Sequence, residues 1–345
     1  ERKVRHYISR HVSAAFLSLV LCFLLQGCSR TQPYSETGFY LNTSVTLTVY
    51  RQKDVPLIQE CFYLCNFYEN MLSRTLEGSD VYRINHSDGA PVLVSQETAL
   101  LLERAVFYAE LSGGRIDPTI APLMELWDFT GQASEEEAES SSNGQRNRIP
   151  DESDILSLLS HIDYETVHID GCTVTLTDPE AQIDLGFIAK GYIADRLKEY
   201  LLANGVSSAI ISLGGNVLTV GSKPDGSPFQ VGIQKPFGAR GETLAVLPVT
   251  DSSLVSSGVY ERYFEQDGKR YHHLLDPDTG YPVENGLLGV TILSSSSMEG
   301  DALSTTCFCL GLEEGMDLVE SLPGTEARFI TQDNALHPSS DLTLP

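Results

Sequence analysis

The order of its elements most constrains how this chain can fold. Beyond residue 154, short apolar strands crowd together between Gly and Asp punctuation, and helices fall among them without regular alternation. A parallel sheet needs a helix after nearly every strand, so this order predicts an α+β fold and not a doubly wound one. Strands are expected over 39–50, 208–213, 229–234, 243–249, 253–257, 288–293 and 327–331. A hairpin is expected over 167–177, turning at Asp170-Gly171. Helical spacing of apolar residues covers 55–74, 95–112, 154–161, 187–204, 301–310 and 313–321.

Charge removes whole classes of function. Lys and Arg number 23 against 47 Asp and Glu, a net charge of −24. Phosphate neutralisation by a nucleic-acid binder needs clustered cations, so no nucleic-acid partner is expected. An anionic ligand would have to find its positive field locally, from a metal ion or from backbone N–H groups. With 41% hydrophobic residues the chain is neither disordered nor a multi-span membrane protein.

The first segment reads as an address. Arg2, Lys3, Arg5 and Arg10 precede an apolar run from Ala14 to Leu25. That run falls short of the roughly 20 residues of a membrane span and suits a signal-peptide core. It ends in Leu25-Gln26-Gly27-Cys28, similar to a bacterial lipobox, in which the cysteine is lipidated. An uncleaved anchor helix would give the same sidedness. Residues 1–27 are therefore expected to be a lipoprotein signal peptide, Cys28 the lipidation site, and 28–38 a polar tether. A solvated acidic insertion is expected at about 132–154, around Glu135-Glu136-Glu137 and Ser140-Ser141-Ser142. Cys61, Cys65, Cys172, Cys307 and Cys309 contain no CxxC pair and read as small buried hydrophobes.

Four segments carry chemistry. In Gly113–Leu123, followed by Leu126-Trp127-Asp128-Phe129, Gly and Pro fix an irregular path. It either holds a planar ring or is simply packed down by Trp127. In Ile183–Tyr192, Asp184 precedes a Gly-punctuated helix start carrying Lys190. Such a start suits phosphate, though Asp184 alone could be a cap. Ile210–Asn216 runs a strand into Gly214-Gly215, where a turn or a close ligand approach would fit. The fourth segment is Ser256–Arg262, then Tyr271–Pro282 with His272-His273, then Asp301–Thr305. A histidine can act as a general base. Asp301 and Thr305 share one helix face and offer hard oxygens to Mg²⁺, unless Asp301 merely caps a buried helix.

Taken in order, these segments resemble the FAD:protein FMN transferase family, the ApbE-type flavin transferases. The resemblance implies residues 39–345 as the transferase domain, with mixed sheets flanked by helices and two lobes around an FAD cleft. It implies transfer of FMN from FAD to a Thr or Ser hydroxyl of a target protein, with AMP released. Asp301, Thr305 and the carbonyl of Ala189 would hold Mg²⁺. Leu41, Trp127, Asp128, Phe129, Asp184, Lys190 and Leu275 would contact FAD, and His273, with Asp301, would be catalytic. The implied acceptor is a flavoprotein subunit of a membrane redox complex or a secreted flavoprotein. The implied place is the extracytoplasmic face of the bacterial cell membrane, with a lipid anchor. Three positions depart from the family pattern: Leu41-Asn42-Thr43 where Met-Gly-Thr is usual, Thr75 where a flavin-stacking Tyr is common, and Ser304 where some members carry a second Asp. A metal-dependent FAD pyrophosphatase and a non-catalytic flavin-binding lipoprotein are the competing readings.

Overall fold

A computed structural model of the chain describes residues 32–129, 148–239 and 241–339. The expected signal segment, Cys28 and most of the acidic insertion lie outside the described residues. In chain order the elements begin with β1 (Tyr34–Tyr40), β2 (Thr43–Val49), α1 (Pro56–Leu72), α2 (Asp80–Asn85), β3 (Val92–Leu93), α3 (Gln96–Leu111) and α4 (Ala121–Trp127). They continue with α5 (Glu152–Leu159), β4 (Val167–Asp170), β5 (Thr173–Leu176), α6 (Ala189–Ala203), β6 (Ser208–Leu213), β7 (Asn216–Gly221), β8 (Phe229–Gln234) and β9 (Thr243–Val249). The last are β10 (Ser253–Gly258), β11 (Tyr263–Gln266), β12 (Lys269–His272), β13 (Leu287–Ser294), α7 (Ser297–Leu310), α8 (Leu312–Glu320), β14 (Glu326–Thr331) and β15 (Leu336–Pro338).

Eight strands form one sheet in the order β1-β2-β6-β7-β10-β13-β14-β15. Every neighbouring pair in it is antiparallel, as an α+β chain without regular crossovers requires. Successive side chains on a strand point to opposite faces, and both faces here are covered. Ile211, Leu213, Leu218, Val220, Val290 and Ile292 meet the helical layer of α1, α6 and α7. Ile210, Val217, Leu254, Leu293 and Ile330 meet Phe229, Val231 and Ile233 of the β8–β9 hairpin. Burial on both sides explains why these strands carry apolar residues on both faces. A separate small core gathers Leu123, Trp127, Phe129, Ile155, Phe264, Tyr271 and Leu275. The described residues from Tyr34 onward belong to one compact unit, so the expected lobes share one body.

Three expectations are corrected. The strand read as 39–50 is two strands, and its first half reaches back into the supposed tether, to Tyr34. The reversal falls at Leu41 (φ 55°) and Asn42 (φ 54°), both left-handed, as a two-residue hairpin turn demands. Leucine rarely adopts that conformation, which costs roughly 1–2 kcal/mol, and no Gly marks the turn in the sequence. The Leu41 N–H donates to Glu69 Oε1 on α1 (3.0 Å), a tertiary bond that holds the strained residue. The acidic insertion ends sooner than expected, because α5 is already helical at Glu152. The helix expected from 301 starts a turn earlier, where the Ser296 side chain accepts from the Glu299 N–H, so Asp301 does not cap its own helix.

Candidate active site

The site forms where the starts of α6 and α7 cross. Helix α6 begins Ala189-Lys190-Gly191, and Gly191 lies directly against α7. A Cβ on Gly191 would stand 2.1 Å from the Ser297 carbonyl oxygen and 2.7 Å from Asp301 Cβ, so only glycine lets the helices meet. That contact carries Asp301 to the head of α6. Asp301 is 2% exposed, and its Oδ2 accepts the Gly191 N–H at 2.8 Å. Its Oδ1 lies 3.5 Å from Lys190 Nζ. Burial pushes the Asp301 carboxyl above the usual carboxylate range, while Lys190 and the Gly191 N–H pull it back.

An ionic line runs outward from this pair. Lys190 Nζ donates to the Gly186 carbonyl (2.7 Å), and the Gly186 N–H donates to Asp184 Oδ1 (2.6 Å). Asp184 Oδ2 pairs with Arg74 Nε at 3.0 Å. Asp184 thus closes a turn two residues ahead of it and does not cap α6. Arg74 had no sequence signal, since its partner lies more than a hundred residues away.

A second group comes from the sheet. The β6–β7 turn at Gly214-Gly215 packs under Thr43, and a Cβ on Gly214 would lie 2.6 Å from Thr43 Oγ1. A Cβ on Gly215 would lie 3.0 Å from Glu261 Oε1. Solvent still reaches Glu261, yet the protein crowded around it holds its carboxyl up at about 7. Lys190 and Arg262 act against that rise and Asp301 adds to it, so these four charged groups share one field. The neighbouring Asn216 is 1% exposed. Its amide favours the charged form of Asp301, yet neither Nδ2 nor Oδ1 closes a hydrogen bond.

His273 belongs to the same field. Burial, then Arg262 and His272, hold its pKa down at about 3, with Lys190 contributing further. The ring is therefore neutral at pH 7. Its Nδ1 faces the Arg262 carbonyl oxygen at 3.3 Å, so Nδ1 carries the proton and Nε2 keeps its lone pair. Next to it, His272 is held down to about 4 by burial, with Nε2 directed at the Val283 carbonyl. As pH falls from about 6.5 toward 4, the unfolded chain protonates His272 and the folded one does not, so stability is lost in that window. The loss is expected to be smaller in His272→Gln, as urea-midpoint measurements at pH 7 and pH 4.5 on both proteins would show.

Other expected residues have different work. Trp127 is wholly buried, stacked on Phe129 (centroids 5.6 Å apart) and Tyr271 (5.7 Å). The Trp127 and Phe129 rings belong to the small core, and Asp128 between them caps α4 in the left-handed region (φ 42°). Trp127 Nε1 donates to the Gly280 carbonyl (2.8 Å), clamping the loop that follows His273. Within that loop the Asp276 N–H donates to the Tyr281 carbonyl and Leu275 bridges to Pro282, which leaves Leu275 buried. Thr75 is exposed and bonded to Ser73 Oγ, and Tyr82 stacks on His86 instead. Thr305 Oγ1 lies 3.0 Å from Ser257 Oγ, which also contacts Ser304 Oγ at 2.7 Å.

The chemistry of these donors can be tested against Mg²⁺. A carboxylate, a hydroxyl and a carbonyl are hard oxygen ligands, and Asn216 adds an unpartnered amide oxygen beside Asp301. Among the described residues no group of three or more His, Cys, Asp or Glu could hold a metal. Mg²⁺ is usually bound by one or two carboxylates together with substrate phosphates, so the donors fit it. Two open hollows of about 370 and 510 Å³ lie along Tyr192 and Arg196, and neither is lined by Lys190 or Asp301.

An antiparallel α+β body, an acid–lysine junction between two helix starts and a neutral histidine define the class of molecule. The chain belongs to the ApbE family, whose model matches residues 41–329. The FAD:protein FMN transferase of Treponema pallidum is 33% identical over 336 residues, covering 92% of this chain and 89% of the relative. That of Klebsiella pneumoniae is 36% identical over 317 residues, covering 90% and 93%. The crystal structure of the ApbE protein of Thermotoga maritima superposes with a TM-score of 0.79 at 32% identity, covering 90% of this chain and 97% of that one. The flavin transferase ApbE of Vibrio cholerae gives 0.77 at 27% identity, with coverage of 90% and 97%.

Proposed function

We propose that this chain transfers FMN from FAD to a Thr or Ser hydroxyl of an acceptor flavoprotein, using Mg²⁺ and releasing AMP. The observation that carries this reading is the junction of Asp301, Lys190 and Gly191, a buried carboxylate and a cation at the head of a helix. Asp301, Thr305 and the Ala189 carbonyl would hold the ion, which when bound neutralises charge on the diphosphate. Lys190 supplies a second positive charge, and the dipole of α6 a third. The acceptor oxygen forms a bond to the FMN phosphorus while the bond to the AMP oxygen breaks, and the hydroxyl proton passes to His273 Nε2. The Arg262 carbonyl fixes the tautomer, and the Trp127–Gly280 bond steadies the loop behind the ring.

The family membership and the names of the relatives support FAD as the flavin donor. A lipid anchor at Cys28, with an acceptor on a membrane redox complex or in a secreted flavoprotein, is part of the proposal and rests on the segment Ala14–Cys28. Incubation with FAD, Mg²⁺ and a Thr-bearing acceptor tests the activity by intact mass. Gain of one FMN with matching AMP is expected. Free FMN and AMP without acceptor modification would show a pyrophosphatase, and retained FAD without AMP would show a binding protein only. His273→Ala is expected to slow transfer by about 10²-fold, the usual worth of a general base, with little change in FAD affinity. Flavin fluorescence titration beside the mass assay separates these, and equal losses would make His273 a binding residue.

A further inference from the structure

The two helices of the site cap each other. Asp301 of α7 takes the Gly191 N–H, one of the free donors in the first turn of α6. One turn along α6, Asp195 returns the arrangement. Its Oδ1 accepts the Ser297 N–H (2.9 Å), and its Oδ2 accepts the Met298 N–H (3.0 Å) and the Ser296 hydroxyl (2.8 Å). The free donors of the α7 start are thus met partly by a side chain about a hundred positions away. Gly191 and Asp195 are i, i+4 on α6, and Ser297 and Asp301 are i, i+4 on α7, so the two carboxylates bracket one contact. With no Cβ at Gly191 the two backbones meet closely, and these bonds fix how α7 is placed along α6 there.

We infer that Asp195 is the positioning residue of the site: by fixing the start of α7 on α6 it sets where the Asp301 carboxylate stands, and so the site's affinity for a divalent cation. Asp195 touches neither Lys190 nor the expected ligands, and acts only through α7. The inference rests on Asp301 being a metal ligand. Groups that orient a ligand from behind are commonly worth 10- to 100-fold in metal affinity.

The test uses the full chain without FAD and Mn²⁺ as the probe, titrated calorimetrically, with amide hydrogen exchange read at Gly191. Asp195→Asn is expected to weaken Mn²⁺ binding by about 10-fold and to speed exchange of the Gly191 amide. Ser296→Ala, which leaves the Asp195 carboxylate in place and removes the hydroxyl that donates to it and caps the Glu299 N–H, is the milder variant should Asp195→Asn fail to fold, and is expected to weaken binding by about 3-fold. Parent-like Mn²⁺ affinity in the Asp195 variant, with affinity lost in Asp301→Asn, would overturn the inference. Weakened binding with unchanged Gly191 exchange would overturn it too, since the loss would not pass through the contact of the helices. Parent-like binding in Asp301→Asn would overturn the metal reading itself, and this inference with it.

Discussion

Asp301→Asn is expected to lower FMN transfer at saturating Mg²⁺ by about 10³-fold, the consequence of losing several kcal/mol of charge stabilisation. The fold should survive. Asparagine keeps one oxygen for the Gly191 N–H, which now takes the carboxylate at 2.8 Å. Lys190, with a quarter of its side chain exposed, is not stranded when its partner becomes neutral. What the variant loses is the buried negative charge that Asp301 brings to the head of α6. Rates of AMP release and a melting curve, taken together, check both halves. A parent-like rate would remove Asp301 from the metal site.

Gly191→Ala is expected to do the opposite, damaging the structure first. Alanine favours a helix over glycine by about 1 kcal/mol, so intrinsic propensity argues for the substitution. Packing argues against it more strongly. The new methyl would meet the Ser297 carbonyl oxygen at 2.1 Å and its carbon at 2.6 Å, and backbone cannot swing aside as a flexible side chain can. Overpacking of this kind costs about 1–3 kcal/mol, and here it also pulls apart the contact that seats Asp301. A melting temperature lower by about 5 °C, with weakened Mg²⁺ dependence of turnover, is expected. Native stability and native rate in this variant would contradict the close crossing of α6 and α7.

The sequence made some of this legible and hid the rest for physical reasons. Ser208–Leu213 was readable to the residue because a strand covered on both faces carries adjacent apolar residues, here Ala209-Ile210-Ile211, and Gly214-Gly215 ends it. Helix α3 was readable because Ser95 caps it, its side chain accepting from the Thr98 N–H. The β1–β2 turn was not readable, because Leu41 is held left-handed by Glu69 of α1 and not by local preference. Within the site, Asp184, Lys190, His273 and Asp301 carried recognisable chemistry at recognisable spacing. Arg74 and Asp195 did not, because each acts on a partner remote in sequence. Of the two readings of the Trp127 segment, the packed-down loop is the one seen: the ring is core, and its N–H bonds to the loop after His273.

The central claim is that the crossing of α6 and α7 gathers a divalent cation and a flavin diphosphate at Asp301 and Lys190. Anomalous diffraction from crystals of the protein grown with FAD and Mn²⁺ addresses it directly. The account predicts a manganese peak within coordination distance of an Asp301 oxygen, with the diphosphate in contact with the first turn of α6. A peak held by other residues, or a diphosphate bound away from Lys190, would contradict it.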